Sequence, residues 1–330
     1  MKKWVSAFIV FLSVIALVGC GTDGKSASPK TEDFSGTTIE TKFGLVELTE
    51  KPERVVALGW GDAETALALG VEPVGASDWL DFGNEGIGPW LEGAYETSPT
   101  ILGTTELDYE QIAALEPDVI LDVKSSGDEE RYNRLSEIAP TIGVPEGSEN
   151  YLTTYEEQVQ MISKALGKEE EGEQLLKDID AAFEKVKEDY PHFAGKTVAI
   201  GAYTSEGWAA YVKGDARADF MSKIGFTNKE EIENKESGDF RVKISDEELE
   251  LLDADLTVVI PIMVDAKEVT NHPLYQKLPS VSEGRSIVLD GDYSDAFSIG
   301  TAPALLWALE KLPPMFDQAL DGESDKSGSE

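Results

Sequence analysis

The sequence predicts an α/β fold with two lobes of similar plan, one on each side of a single long helix. Three observations predict it. Short apolar strands alternate with amphipathic helices up to about residue 144, and the alternation restarts after Pro191. Such alternation favours a mainly parallel sheet covered by helices. An unbroken helical pattern separates the two series, and one matched segment recurs in each half.

The elements follow in order. Lys2 and Lys3 precede an apolar run over residues 4–17, and Leu17-Val18-Gly19-Cys20 follows. A positive start, a short apolar stretch and small residues describe an export signal, since a spanning helix needs roughly 20 apolar residues. The four residues resemble a bacterial lipobox. That resemblance implies a signal peptide over residues 1–19 and a Cys20 that carries lipid such as palmitate. The mature chain is then anchored outside the cytoplasmic membrane, because more than one acyl chain makes such an anchor stable. Residues 20–41, rich in Ser, Gly and Lys, read as a flexible tether.

The N-terminal lobe, residues 42–168, begins with a buried strand at 54–58, the Gly59-Trp60-Gly61 turn and a helix at 62–69 closed by Gly70. Further strands are expected at 71–76, 119–123 and 141–144. Residues 154–166 carry Val159, Ile162 and Leu166 at helical spacing, and Gly167 ends them. The interlobe helix, residues 169–192, has Leu175, Ile179, Ala182, Phe183 and Val186 on one face and stops at Pro191. At 1.5 Å per residue it is roughly 30 Å long, which suits a rigid strut. The C-terminal lobe, residues 193–318, has strands at 196–201, 256–260 and 286–289 and helices at 217–224 and 302–311. Residues 319–330 read as a disordered tail.

Composition narrows the function. The chain has 330 residues, 41% of them hydrophobic, which is enough for two ordinary cores. Its one cysteine is assigned to the anchor, so packing holds the fold without an internal disulfide. A formal charge of −36 repels nucleic acid and anionic headgroups. It also disfavours a strongly anionic ligand unless a local basic pocket overrides it.

The matched segments are Glu110-Gln-Ile-Ala-Ala-Leu-Glu-Pro-Asp118 and Glu247-Glu-Leu-Glu-Leu-Leu-Asp-Ala-Asp255. Each opens on a capping pair, Asp108 with Gln111 and Ser245 with Glu248. Glu110 and Glu247 then fall second in their helices, outside the capping pair and free to project. Acids are also simply favoured in a first helical turn.

The stretch 244–255, which contains the second matched segment, with Gly44-Leu-Val-Glu-Leu-Thr-Glu-Lys-Pro-Glu-Arg-Val-Val-Ala-Leu, Glu64-Thr-Ala-Leu-Ala-Leu-Gly70-Val-Glu-Pro-Val-Gly75, Leu135-Ser-Glu-Ile-Ala-Pro140, Gly214-Asp-Ala-Arg-Ala-Asp-Phe and the stretch 302–313, together span residues 42–316. In their order and coverage they resemble the ferric-siderophore-binding lipoproteins of ABC importers, the helical-backbone class of solute-binding proteins. The resemblance implies two Rossmann-like lobes, a joining helix and a ligand cleft between them, with modest closure. It implies that Glu110 and Glu247 dock into basic pockets of the permease dimer, one per lobe, with Glu248 as the alternative to Glu247. A carboxylate at a helix start stays ionised and steers an oppositely charged partner.

Loops after strands offer Trp60, Trp79, Trp90 and Ser125-Ser126-Gly127 on the first lobe, and Tyr203, Trp208, Tyr211, Phe240, Arg241, Tyr293 and Phe297 on the second. Aromatic walls and one or two cations suit a bulky chelate with oxygen atoms on its face. The expected ligand contacts are Trp60, Trp79, Trp90, Trp208, Tyr211, Phe240, Arg241 and Tyr293. Arg217 fits either a structural ion pair or a second cation. The turn Gly103-Thr104-Thr105-Glu106 lacks the arginine that hydroxamate binders of the family tend to carry there. Few basic residues are on offer, so a neutral or weakly charged chelate such as a ferric hydroxamate is favoured by elimination.

His192 and His272 are the sole histidines, both beside prolines, so no resident metal or cofactor is expected. The same module carrying haem or a cobalamin is the alternative cargo. An extracytoplasmic hydrolase lacks a Gly-x-Ser-x-Gly elbow or a His-Glu-x-x-His helix here. The chain is expected to work as a monomer.

Overall fold

The computed structural model describes residues 34–83, 85–148, 150–235 and 240–321. The signal peptide, Cys20, most of the tether and the last nine residues of the tail lie outside them. The described chain opens with a hairpin, β1 (Thr37–Thr41) and β2 (Gly44–Leu48), whose first strand lies inside the stretch expected as tether. Gly44 takes φ 113° in its turn, where a side chain would be strained. Ile39, Val46 and Leu48 face inward while Leu45 stays exposed.

The first lobe is a five-stranded, all-parallel sheet built from β3 (Val55–Ala57), β4 (Gly75–Ser77), β5 (Thr100–Leu102), β6 (Val119–Leu121) and β7 (Thr141–Ile142), in the order β5-β4-β3-β6-β7. Successive side chains point to opposite faces of a strand. Val55, Ala57, Val119 and Leu121 therefore pack against helices α1 (Asp62–Ala68) and α4 (Tyr155–Ala165). Val56 and Ile120 pack on the other face, against α2 (Tyr109–Ala114) and α3 (Glu129–Ser136). Helices on both faces explain why these strands read as continuous apolar runs.

Helix α5 (Glu169–Asp189) covers the stretch expected to join the lobes. Ile179, Phe183 and Val186 enter the core of the second lobe, whereas Leu175 packs against the cores of both. The second sheet is mixed. It contains β8 (Thr197–Thr204), β9 (Gly207–Tyr211), β10 (Thr227–Asn228), β11 (Arg241–Ile244), β12 (Leu256–Pro261) and β13 (Ser286–Val288), ordered β11-β9-β8-β12-β13 with β10 against the start of β8. Strands β9 and β11 are antiparallel, a hairpin arm the alternation pattern does not reveal. Around it lie α6 (Ala216–Lys223), α7 (Glu230–Glu233), α8 (Ala266–Thr270), α9 (Pro279–Ser282), α10 (Gly291–Ile299) and α11 (Ala302–Leu320).

Two elements depart from expectation. The segment after Ser245 is a 3-10 helix, Asp246–Leu252, not an α-helix, although its Ser245–Glu248 capping box is complete. Helix α11 runs past residue 311, through Pro313 and Pro314, and into the stretch expected as tail. Interior prolines forgo backbone hydrogen bonds and cost about 3 kcal/mol. Burial of Leu312, Phe316 and Ala319 in the core offsets that cost.

Candidate functional site

A cleft with a cavity volume of about 190 Å³ is lined by residues of both lobes and of the joining helix. Open parallel sheets place ligands at the carboxyl ends of their strands, and the first lobe does so. Trp60 follows β3, Trp79 follows β4 and Lys124 follows β6, and all three line the cleft. The second lobe departs from that rule. Its contributions come from the turn before α6, from α6 itself, from Phe240 ahead of β11 and from the α10–α11 junction.

The two tryptophans are fixed through their N–H groups. Trp60 Nε1 donates to the Ile299 carbonyl at 3.0 Å, a bond between lobes, and Trp79 Nε1 donates to the Leu58 carbonyl at 3.0 Å. Their ring centroids stand 5.5 Å apart, and Tyr151 meets Trp79 edge-on at 5.3 Å. With the donors spent on backbone, these rings present apolar surface to the cleft. Asn150 and Tyr151 hold consecutive left-handed backbones, φ 54° and 65°. Bonds from their N–H groups to the Ser126 and Ser125 carbonyls keep them there. Backbone strain of this kind collects at ligand-contacting loops.

Cations on the second lobe are engaged. Arg217 forms two bonds to Asp215, 2.9 and 2.8 Å, and its guanidinium lies 3.8 Å from the Tyr211 ring centroid. Lys223 pairs with Glu156 and donates to Tyr155 Oη at 2.7 Å, tying α6 to α4. Lys124 differs: it is 6% exposed, and burial pushes its ammonium pKa down to about 8.

Behind the cleft, Asp62 accepts from Val123 N at 2.8 Å and from Gln158 Nε2 at 2.6 Å. Full burial pushes its carboxyl up to about 7. A raised carboxyl pKa favours the fold below the unfolded pKa of about 3.9, and that contribution is lost as pH rises through the folded value. Wild type is therefore expected to lose stability relative to Asp62→Asn between about pH 4 and 7, by on the order of 4 kcal/mol. Urea denaturation of both proteins across that window checks this, and a pH-independent difference contradicts it.

The lobes also meet at a buried joint. Glu64 on α1 accepts from Gly88 N, Trp90 Nε1 and Thr301 Oγ1, and Thr301 caps α11. Gly61 sits at φ 73°, and a Cβ there would fall 2.1 Å from Thr301 Cγ2.

Of the residues singled out from sequence, Trp60, Trp79 and Phe240 meet at the cleft. Others stand elsewhere. Trp90 belongs to the joint, packed on Phe82 and Trp307. Trp208 is not in a loop: it lies in β9, 3% exposed, stacked on Tyr275 and tilted against Tyr203 in the outer core of the second lobe. Tyr211 is also in β9, one layer behind the cleft between Arg217 and Phe240. Arg241 opens β11 and does not line the cleft. Tyr293 lies on α10 against Trp307, and Phe297 of the same helix is buried, so neither is in a loop. Arg217 takes the ion-pair arrangement and also borders the cleft. His192 pairs with Asp317 on the surface. Glu110 and Glu247 are the exposed second residues of their helices, clear of the Asp108 and Ser245 caps. Sequence reasoning missed Lys124, Tyr151, Tyr155, Phe183 and Phe220. A lysine ending the apolar run Val119-Ile-Leu-Asp-Val123 was the one visible signal among them.

A two-lobed α/β fold hinged on one helix, with a cleft between the lobes, defines a solute-binding protein. The chain belongs to the periplasmic binding protein family, matched over residues 55–293. It is 25% identical to the probable siderophore-binding lipoprotein YfiY of Bacillus subtilis, over 88% of this chain and 91% of that one. A solved periplasmic solute-binding protein from Mycobacterium smegmatis superposes with TM-score 0.76 at 28% identity, covering 87% of this chain and all of that one. The Streptococcus pneumoniae iron-uptake protein PiaA in complex with ferrichrome gives TM-score 0.73 at 27% identity, with 86% of this chain and 99% of that one covered.

Proposed function

We propose that this chain is the extracytoplasmic receptor of an ABC importer, binding iron(III) already wrapped in a siderophore and passing it to the permease. The aromatic cleft is the observation that carries this reading. Trp60, Trp79, Tyr151 and Phe240 offer ring surface to a bulky chelate, and few cations stand among them. A hydroxamate-type chelate, in which three hydroxamates cancel the charge of the iron, suits such a wall. The relatives named for siderophores, and ferrichrome in one solved neighbour, support the same cargo class.

The chain binds and does not catalyse. It acts as a monomer held by lipid on Cys20 at the outer face of the cell membrane. Glu110 and Glu247 present one carboxylate per lobe to a permease dimer.

Tryptophan fluorescence tests the cargo, because ligand in the cleft would lie against Trp60 and Trp79. Residues 21–330 titrated with ferrioxamine, ferrichrome, ferric citrate, a ferric catecholate, haem and cobalamin should be quenched at submicromolar ferric hydroxamate. Quenching confined to haem or cobalamin would replace this reading with another cargo.

A further inference from the structure

We infer that Lys124 sets the charge of the cargo: the cleft takes a ferric chelate that presents one anionic oxygen group to this ammonium. The inference rests on the siderophore reading and refines it. Among the described residues three cationic side chains line the cleft, and two are paired in place, Arg217 with Asp215 and Lys223 with Glu156. Lys124 is 94% removed from solvent, being 6% exposed, yet among the described residues no hydrogen bond or ion pair reaches its Nζ.

The charged groups around it are Asp62 of α1, Glu156 of α4, and Asp215 and Arg217 at the start of α6. None of them completes it. Asp62 bonds Val123 N and Gln158 through both oxygens, Asp215 bonds Arg217 through both, and Glu156 bonds Lys223 through Oε1. A largely buried ammonium that opens only onto the cleft and has no protein partner there is costly, and the native fold keeps it. A carboxylate or other anionic oxygen entering the cleft would supply the missing contact.

One unpaired cation offers a contact to one anionic group. Further anionic groups would meet Glu156, Asp215 and Asp219, which also line the cleft. The selected class is therefore a singly anionic ferric chelate, such as a trihydroxamate with one pendant carboxylate. Neutral chelates still bind through the aromatic wall but more weakly, and multiply anionic ones are disfavoured.

A matched series separates charge from shape: ferrioxamine B with its pendant amine free (+1), acetylated (0) or succinylated (−1), and a ferric tricatecholate (−3). Binding is read by tryptophan quenching at pH 7 and pH 9.5. At pH 7 the succinylated chelate should bind at least about tenfold tighter than the acetylated one, a modest share of what a charge-assisted bond in a desolvated site supplies. The tricatecholate should bind more weakly than the succinylated chelate. The advantage should collapse toward unity in Lys124→Met and persist in Lys124→Arg.

It should also shrink in the wild type at pH 9.5, where the ammonium has lost its proton while the ligand carboxylate stays ionised. That comparison needs no variant, so the inference stays testable if Lys124→Met does not fold. Equal affinities across the series in the wild type overturn it, as does the same ranking in Lys124→Met or at both pH values. Binding that ignores charge sinks this inference alone. Failure of every ferric chelate to quench sinks the siderophore reading and this inference with it.

Discussion

Alanine at both Glu110 and Glu247 is expected to abolish iron uptake by cells while leaving chelate affinity unchanged. Both side chains are exposed, and neither caps its helix: Asp108 accepts from the Glu110 and Gln111 amides, and Ser245 pairs with Glu248. Surface changes away from caps and cores stay within about 0.5 kcal/mol, so fold and cleft should be untouched. A carboxylate near the positive end of a helix is held ionised and aimed outward, suited to a basic socket. On the docking role proposed above, losing one such contact on each lobe removes both ends of the grip on the permease. Cellular uptake of labelled ferric siderophore, beside fluorescence titration of the same variant, separates docking from binding. Glu248→Ala is the contrast. Glu248 bonds Lys235 and Ser245, which hold its carboxyl down to about 2, so that change should loosen the cap and spare uptake. Persistent uptake by the double variant would end the docking assignment.

Arg131→Ala is expected to be the most destabilising single change in the first lobe, by about 3–5 kcal/mol. The side chain is 8% exposed and bonds Asp122, itself 2% exposed, through Nε and Nη2, while Nη1 donates to the Thr104 carbonyl. Removing the guanidinium strands a buried carboxylate, and that penalty exceeds the worth of the pair itself. Replacing both partners together, Asp122→Asn with Arg131→Met, should recover much of the loss, because no lone charge remains. Urea titrations of the single and double variants decide it. A single variant within 1 kcal/mol of wild type would contradict the prediction.

The sequence carried the fold further than it carried the site. Buried strands such as Val55–Ala57 and Val119–Leu121 are legible because helices cover both faces and every position must be apolar. Helix ends at Gly70, Gly167 and Pro191 are legible because local chemistry sets them. Helix α11 was cut short because prolines normally end a helix, and only the tertiary burial of Phe316 shows why this one continues. Trp208 misled for a related reason. A glycine beside an aromatic suggests a loop, but Gly207 opens β9 and the indole turns into the core. Lys124 is not legible in the sequence because partnership, not residue type, distinguishes it from any strand-end lysine. Glu110 and Glu247 take equivalent exposed positions in their helices because a cap fixes position along the chain without help from packing.

The joint built from Gly61, Glu64, Trp60, Ile299 and Thr301 has a cost for the cell. With hydrogen bonds crossing between lobes beside a single helix, an unladen receptor is expected to differ little in outline from a laden one. Vacant copies should then occupy the transporter nearly as well as filled ones, and raising receptor numbers above the supply of iron should slow import instead of hastening it.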